Sequence, residues 1–267
     1  MSRLKLDTDK MIAEVEDGIG WVVFNNPERR NAVSVEMQQA LPVIFEAFQK
    51  DDAVRVVVMR GAGDKAFVSG ADISQFEERR ASPEAVAEYE RMGERSTEAM
   101  LALDKPLIAM IRGFCMGGGL LTAMRADIRI ASDDSQFGIP AARLGLGYGY
   151  SRIRPLVHLV GPANANEILF SGRRFSADEA LRMGLANRVV SVAELEPAVR
   201  ELAKTIGENA PLTVKATKAI IREAMKDKDE RDMALCERLV ERCFASEDYA
   251  EGRRAFMEKR KPVFRGR

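Results

Sequence analysis

The sequence predicts an α/β core followed by a helical region, on three observations. Short apolar and β-branched runs alternate with longer amphipathic runs from about Met11 to Ala131, the pattern of parallel strands joined by helices. Two glycine-bearing turns, Ala66-Phe67-Val68-Ser69-Gly70-Ala71-Asp72-Ile73 and Gly113-Phe114-Cys115-Met116-Gly117-Gly118-Gly119-Leu120, each follow a strand-like run and open a helix-like one. After about Gly161 most of the chain carries helical periodicity. The expected division is therefore a core over residues 1–195 and a C-terminal helical region over 196–267.

Met11–Glu16 and Ile19–Phe24 flank Asp17-Gly18, a dipeptide suited to a tight hairpin turn. Ser34 caps an amphipathic segment that extends to about Lys50. Val54–Met59 is a continuous, largely β-branched run suited to a buried strand. Pro83 to Leu103 reads as a long helix. Leu107–Ile111 is the next buried strand, followed by the glycine-rich turn and a helix to Arg125. Asp127–Ala131 is a further strand. The helical region comprises Ala163–Phe170, Ala177–Met183, Ala193–Ile206, Leu212–Met225, Glu230–Phe244 and Asp248–Lys259. Its Leu, Met and Phe positions need a partner surface, either its own core or a neighbouring subunit.

Composition narrows the function. The 267 residues suffice for a sizeable core. Lys plus Arg equals Asp plus Glu, at 41 each, so no global field draws in nucleic acid or a membrane surface. No apolar stretch has the length of a membrane span, and Met1–Asp7 holds no apolar run of signal-peptide length. Cys115, Cys236 and Cys243 are too sparse for a disulfide framework and fit a reducing, cytoplasmic setting. Cys236 and Cys243 lie a heptad apart without further ligands, so no metal is expected.

The glycine turns carry the chemistry. A turn that opens a helix presents backbone N–H groups with no intrahelical acceptor. Two such donors meeting at one oxygen make an oxyanion hole for an enolate or a tetrahedral intermediate. Met116-Gly117-Gly118-Gly119-Leu120 lacks the Lys-Ser/Thr of a P-loop and the spacing of a dinucleotide fingerprint. A tight turn at a close helix–strand approach is the plainer explanation of the triple glycine taken alone.

The turns do not stand alone. Asn25-Asn26-Pro27-Glu28-Arg29-Arg30-Asn31-Ala32-Val33-Ser34 follows a strand, and Lys105–Gly113 leads into the triple glycine. Phe137-Gly138-Ile139-Pro140 precedes Leu144-Gly145-Leu146-Gly147. Ser171-Gly172-Arg173 and Ala177–Ala180 precede Gly184–Val190, and the chain ends in Glu251–Pro262 and a basic tail. In this order and spacing the chain closely resembles the enoyl-CoA hydratase/isomerase (crotonase) superfamily, over nearly its whole length.

That resemblance implies a crotonase-like spiral of ββα units with a C-terminal helical trimerisation region, assembled as a homotrimer or a dimer of trimers. It implies an acyl-CoA thioester as substrate and partner, with coenzyme A arriving as part of the substrate and no tightly bound cofactor. The thioester oxygen would sit between the N–H groups of Ala71 and Gly118. Arg30 and Ala32 match the loop along the CoA, Asp72 and Ile73 the substrate-contact turn, and Phe256 and Lys259 positions near the CoA 3′-phosphate, often reached from a neighbouring subunit. Seven Lys or Arg against one Glu from Gly252 to Arg267 favour a phosphate there independently. The RNA-binding branch of the superfamily wants a lysine-rich helix, which this charge-alternating chain does not offer.

The resemblance fails at two positions. Family hydratases carry two glutamates that position and activate water; here Leu121 and Ala141 replace them. General acid–base groups contribute roughly 10²–10⁴-fold each, so ordinary hydration is not expected unless another group moves the proton. Tyr148 lies where the superfamily's methylmalonyl-CoA decarboxylases also carry a tyrosine, though their histidine is replaced by Ala71. Decarboxylation of a malonyl-type thioester, with Tyr148 as carboxylate or proton partner, is one alternative. A protein that holds acyl-CoA without turning it over is another. An exogenous base, such as the bicarbonate of naphthoate synthases, is a further route. Ser69 has no evident activating base, and the one histidine, His158, lies in an apolar run and reads as structural.

Overall fold

Two sheets grow in step along the chain. A computed structural model describes residues 2–72 and 82–267. The larger sheet holds β1 (Ser2–Arg3), β2 (Met11–Glu16), β3 (Ile19–Phe24), β4 (Val56–Gly61), β6 (Leu107–Ile111), β8 (Ile128–Ser132) and β11 (Arg188–Val190), in the order β1-β2-β3-β4-β6-β8-β11. The smaller holds β5 (Ala66–Val68), β7 (Phe114–Met116), β9 (Gln136–Gly138) and β10 (Phe175–Ser176), in the order β10-β9-β7-β5. The strands from β3 to β11 in the first sheet, and β5, β7 and β9 in the second, are parallel. Each pair β4/β5, β6/β7 and β8/β9 thus adds one strand to each sheet. A helix follows each pair: α2 (Pro83–Ala102), α3 (Gly118–Ala123) and α4 (Tyr150–Ser171), with α1 (Val35–Lys50) before the first. That repeat is the ββα spiral expected from the resemblance.

The hairpin stands as expected. Asp17 and Gly18 both take positive φ, 51° and 78°, which keeps β2 and β3 in register from Met11–Phe24 to Glu16–Ile19. Leu107–Ile111 also falls as predicted, and the strand expected at Val54–Met59 lies two residues later. The predicted helix Ala163–Phe170 is only the second half of α4. That helix starts at Tyr150 and turns at Gly161, where φ is 75°. The segment expected to pass from Gly113 directly into a helix first forms β7. Then come α5 (Ala177–Arg182), α6 (Leu195–Gly207), α7 (Pro211–Ala224), α8 (Met233–Phe244) and α9 (Glu247–Met257).

The larger sheet is buried on both faces, so its central strands alternate between two cores. Val22, Phe24, Val57, Met59, Leu107 and Ala109 face the main cluster, with Phe45 of α1, Phe67 and Phe137. Ile19, Trp21, Val56, Val58, Ile108 and Ile130 face the second cluster, closed by Leu195, Val199 and Ala203 of α6. Trp21 lies there with the Arg60 and Arg200 guanidinium carbons 5.5 and 4.8 Å from its ring centre.

Helix α7 is tied to the sheet ends by a buried cation. Lys218 Nζ donates to the Lys105 carbonyl at 2.7 Å and to the Asp127 carboxylate at 2.7 Å. The same Asp127 oxygen accepts from Leu107 N–H. Lys105 in turn donates to the carbonyls of Phe48 and Asp51, both at 2.6 Å. Burial pulls the Lys218 ammonium from 10.5 down to about 8, against the opposing pull of Asp127. The unfolded chain therefore holds this proton more firmly than the folded one. The cost is full below pH 8 and is relieved as pH rises toward 10.5. Measured by urea unfolding against Lys218→Met, the native chain should gain on the order of 3 kcal/mol of relative stability across that window. A pH-independent difference would mean that Asp127 fully compensates the burial.

Candidate active site

The segment after β3 is stitched to the segment after β5, and Asn31 makes the seam. Asn31 is fully buried with φ 55°. Its amide nitrogen donates to the carbonyls of Ala62 at 2.9 Å and Ala66 at 2.8 Å, while its oxygen accepts from Asn26 N–H. Backbone bonds continue the seam: Ser69 N–H to Arg30 O, Val33 N–H to Gly70 O and Asp72 N–H to Val33 O. Val33 and Ala71 therefore form a parallel bridge. In such a bridge Gly70 O and Asp72 N–H are used and Ala71's own N–H faces the other way. No described residue accepts from it.

The second turn comes to meet it. Gly117 takes φ 52° and ψ −118°, a conformation open to glycine, and its N–H is held by Gly138 O. Gly118 is then the first residue of α3, so its N–H has no acceptor within the helix. A Cβ on Gly118 would stand 3.8 Å from Ala71 N, so the two turns lie close together at these residues. Gly119 permits the approach: a Cβ there would meet Val68 O at 2.0 Å, a contact no neighbour can relieve without moving the strand.

Ala141 belongs to the main apolar core, and Leu121, Leu146 and Tyr148 are partly buried against it. Ala141 is buried in the short turn Pro140–Leu144. Tyr148 is half-buried between that turn and α4, with the Arg152 guanidinium 5.8 Å from its ring centre. Burial raises the Tyr148 phenol above its ordinary value, against the lowering pull of Arg152, so it keeps its proton at neutral pH. Arg125 follows α3 and is half-buried. Burial pulls its guanidinium downward, and the Arg152 charge adds to that. Among the described residues no hydrogen bond or ion pair engages the Arg125 guanidinium, a feature that no spacing pattern in the sequence signals.

The other expected residues are distributed unevenly. Ala32 is buried in the seam, and Arg30 is exposed with φ 52°, its guanidinium 5.0 Å from the Phe114 ring centre. Asp72 is buried and accepts from Arg29 at 3.0 Å. Ile73 lies outside the described residues. Phe256 is 82% exposed and Lys259 is exposed with φ 53°, both at the end of α9, which packs on α8. His158 is exposed on α4 rather than held in a core. Among the described residues no cluster of three or more His, Cys, Asp or Glu could hold a metal ion. No helix among them is long and apolar enough to cross a membrane.

The sequence and fold have close counterparts. A family model described as enoyl-CoA hydratase/isomerase matches residues 14–267. The short-chain-enoyl-CoA hydratase of Clostridium acetobutylicum is 35% identical over 256 residues, 96% of this chain and 97% of that protein. The carnitinyl-CoA dehydratase of Proteus mirabilis is 37% identical over 250 residues, 92% and 94% of the two chains. The crystal structure of an enoyl-CoA hydratase/carnithine racemase from Magnetospirillum magneticum matches with a TM-score of 0.92 at 36% identity, covering 98% of this chain and 97% of that one. With the ββα spiral and the paired glycine turns in place, the chain belongs to the enoyl-CoA hydratase/isomerase family and has the crotonase fold.

Proposed function

We propose that this enzyme binds an acyl-CoA thioester with its carbonyl oxygen between Ala71 N–H and Gly118 N–H, and works by stabilising the enolate of that thioester. The observation that carries the reading is the closeness of Ala71 and Gly118, two residues whose amides have no acceptor among the described residues. Charge that moves onto the oxygen meets donors already in place, so no reorganisation is needed as the reaction proceeds. Arg30, Ala32, Asp72 and Ile73 would lie along the CoA and the substrate. Phe256 and Lys259 would reach the 3′-phosphate from a neighbouring subunit of a trimer or a dimer of trimers. The exposed Phe244, Phe256 and Met257 on α8 and α9 support such an assembly, and the 1–195 and 196–267 division would follow it. Coenzyme A would enter as part of the substrate, with no tightly bound cofactor.

Ordinary water addition is disfavoured, because Leu121 and Ala141, which stand at the two glutamate positions, carry no proton. Tyr148, packed against the same apolar core, is a neutral phenol able to donate. Its half-burial next to a cation favours a second reading, decarboxylation of a malonyl-type thioester. There the bond from the α-carbon to the carboxyl breaks, CO₂ leaves, and its electrons form the enolate that the two amides hold. A proton then returns to the α-carbon.

Crotonyl-CoA tests the first reading. It should bind, while its enoyl-thioester absorbance falls slowly or not at all at micromolar enzyme. Failure to bind would remove the acyl-CoA assignment. Rapid hydration would show that another group replaces the two glutamates. Release of CO₂ from methylmalonyl-CoA, lost in Tyr148→Phe, would select the second reading.

A further inference from the structure

A cavity of about 390 Å³ opens between the residues just before β4, those just before β6, the junction of α6 with α7, and the tail after α9. From there β4 and β6 run toward the segments that carry the glycine turns, and no residue of either turn lines the cavity. It is therefore a place apart from the thioester site.

Its charge is one-sided. Arg55, Lys105, Lys215, Arg265 and Arg267 line it against a single carboxylate, Asp52. Three of these cations are engaged. Arg55 donates to the Asn209 carbonyl at 3.2 Å, Lys105 to the carbonyls of Phe48 and Asp51, and Arg267 pairs with Glu247 at 3.0 Å. The Lys215 ammonium and the Arg265 guanidinium make no hydrogen bond or ion pair among the described residues. Burial lowers the Lys105 ammonium and the Lys215 charge adds to it, against the pull of Asp51 and Asp52. Like charges gathered at a partly buried wall repel, and an anion among them relieves that cost.

The walls are built, not loose. Lys105 is 4% exposed, and its own carbonyl accepts from Lys218. The tail that brings Arg265 is latched to α9, where the N–H groups of Arg265 and Gly266 donate to the buried Asp248 carboxylate at 2.7 and 2.8 Å. A Cβ on Gly266 would stand 3.3 Å from Pro211, so the tail lies directly on the start of α7. Val54, Ile206 and Leu212 add apolar surface. A carboxylate engages one fork. A phosphate carries about two negative charges and three free oxygens, which suits an ammonium and a guanidinium that arrive from different segments.

We propose that this cavity binds a small phosphorylated molecule, its phosphate held by Lys215 and Arg265 in the field of Arg55 and Lys105, and its apolar body against Val54, Ile206 and Leu212. Such a ligand joins the tail to the start of α7 and so stabilises the folded chain. The inference does not rest on the acyl-CoA reading.

Calorimetric titration of the full chain with phenyl phosphate, benzoate and inorganic phosphate tests it. Phenyl phosphate should bind at one site per chain and roughly ten-fold or more tightly than benzoate, the margin of one further charge-assisted hydrogen bond. Inorganic phosphate should compete with it. Lys215→Met should weaken phenyl phosphate by roughly ten-fold, and so should Arg265→Ser, at an exposed position that does not threaten folding. Lys259→Met should leave the affinity unchanged, which separates this cavity from the position expected to meet the CoA phosphate. No binding of phenyl phosphate, equal affinity for benzoate, binding that survives both cavity substitutions, or binding lost in Lys259→Met would each overturn the proposal. None of these results alters the acyl-CoA reading, which crotonyl-CoA tests separately.

Discussion

Replacing Gly118 by proline will slow thioester turnover by roughly 10²–10³-fold and leave the fold in place. The N–H removed has no acceptor among the described residues, Gly118 being the first residue of α3. Proline is tolerated at that position, where the helix asks for no donor. The usual restriction on the preceding residue is met as well. Gly117, at φ 52° and ψ −118°, occupies the mirror image of the extended conformation that residues before proline adopt. An unchanged melting temperature with a lost rate would therefore assign the defect to this amide position, where proline removes the donor and sets a ring carbon in place of its hydrogen. An unchanged rate would mean that the oxygen does not sit against this amide, and the paired-donor reading would fail.

Introducing glutamate at both Leu121 and Ala141 should create crotonyl-CoA hydration, at least 10²-fold above the native chain, given the rate factors of general acid–base groups. Leu121 is on the first turn of α3, just after the free amide of Gly118, and Ala141 is buried on the turn Pro140–Leu144. Ala141 belongs to the main apolar core and Leu121 is partly buried against it. A carboxyl placed there loses hydration, so its pKa should rise toward the range where it can both take and give a proton. The same desolvation should lower stability by about 1–3 kcal/mol per site. The rate is read from enoyl-thioester absorbance and the folded state from a melting curve. A folded double variant with no hydration would mean that something other than the missing glutamates withholds the activity.

Much of this frame is legible in the sequence where local chemistry and tertiary need agree. Asp17-Gly18 specifies a turn that few other pairs can make, and Leu107–Ile111 is apolar throughout because both faces are covered. The strands β5, β7 and β9 are not legible as strands. At three residues each they are too short for a period of two to register, and parallel pairing with each other holds them extended. The first half of α4 is hidden for another reason: Gly149, Pro155 and Gly161 read as breakers. Yet Gly149 caps the helix, Pro155 lies within its first two turns, and Gly161 marks its kink. At the site, the two glycine turns are visible as motifs, and their meeting is not. It depends on Asn31, whose buried amide joins segments about thirty-five residues apart. Asp72 reads equally well as a helix cap or a substrate contact, and only the fold pairs it with Arg29. Arg125 looks like an ordinary charge at a helix end until its surroundings are known.

Trp21 gives the protein an optical property that follows from where it lies. It is the one tryptophan of the chain, set between two guanidinium groups on the face of the larger sheet that α6 covers. The glycine turns lie with the other core, through Val68 and Leu120. Intrinsic tryptophan emission in this protein is thus a signal of whether Leu195–Gly207 is seated on the sheet. It follows unfolding from within and carries no direct report of a thioester arriving at Gly118, so fluorescence assays of binding on this chain call for a dye or a labelled acyl group.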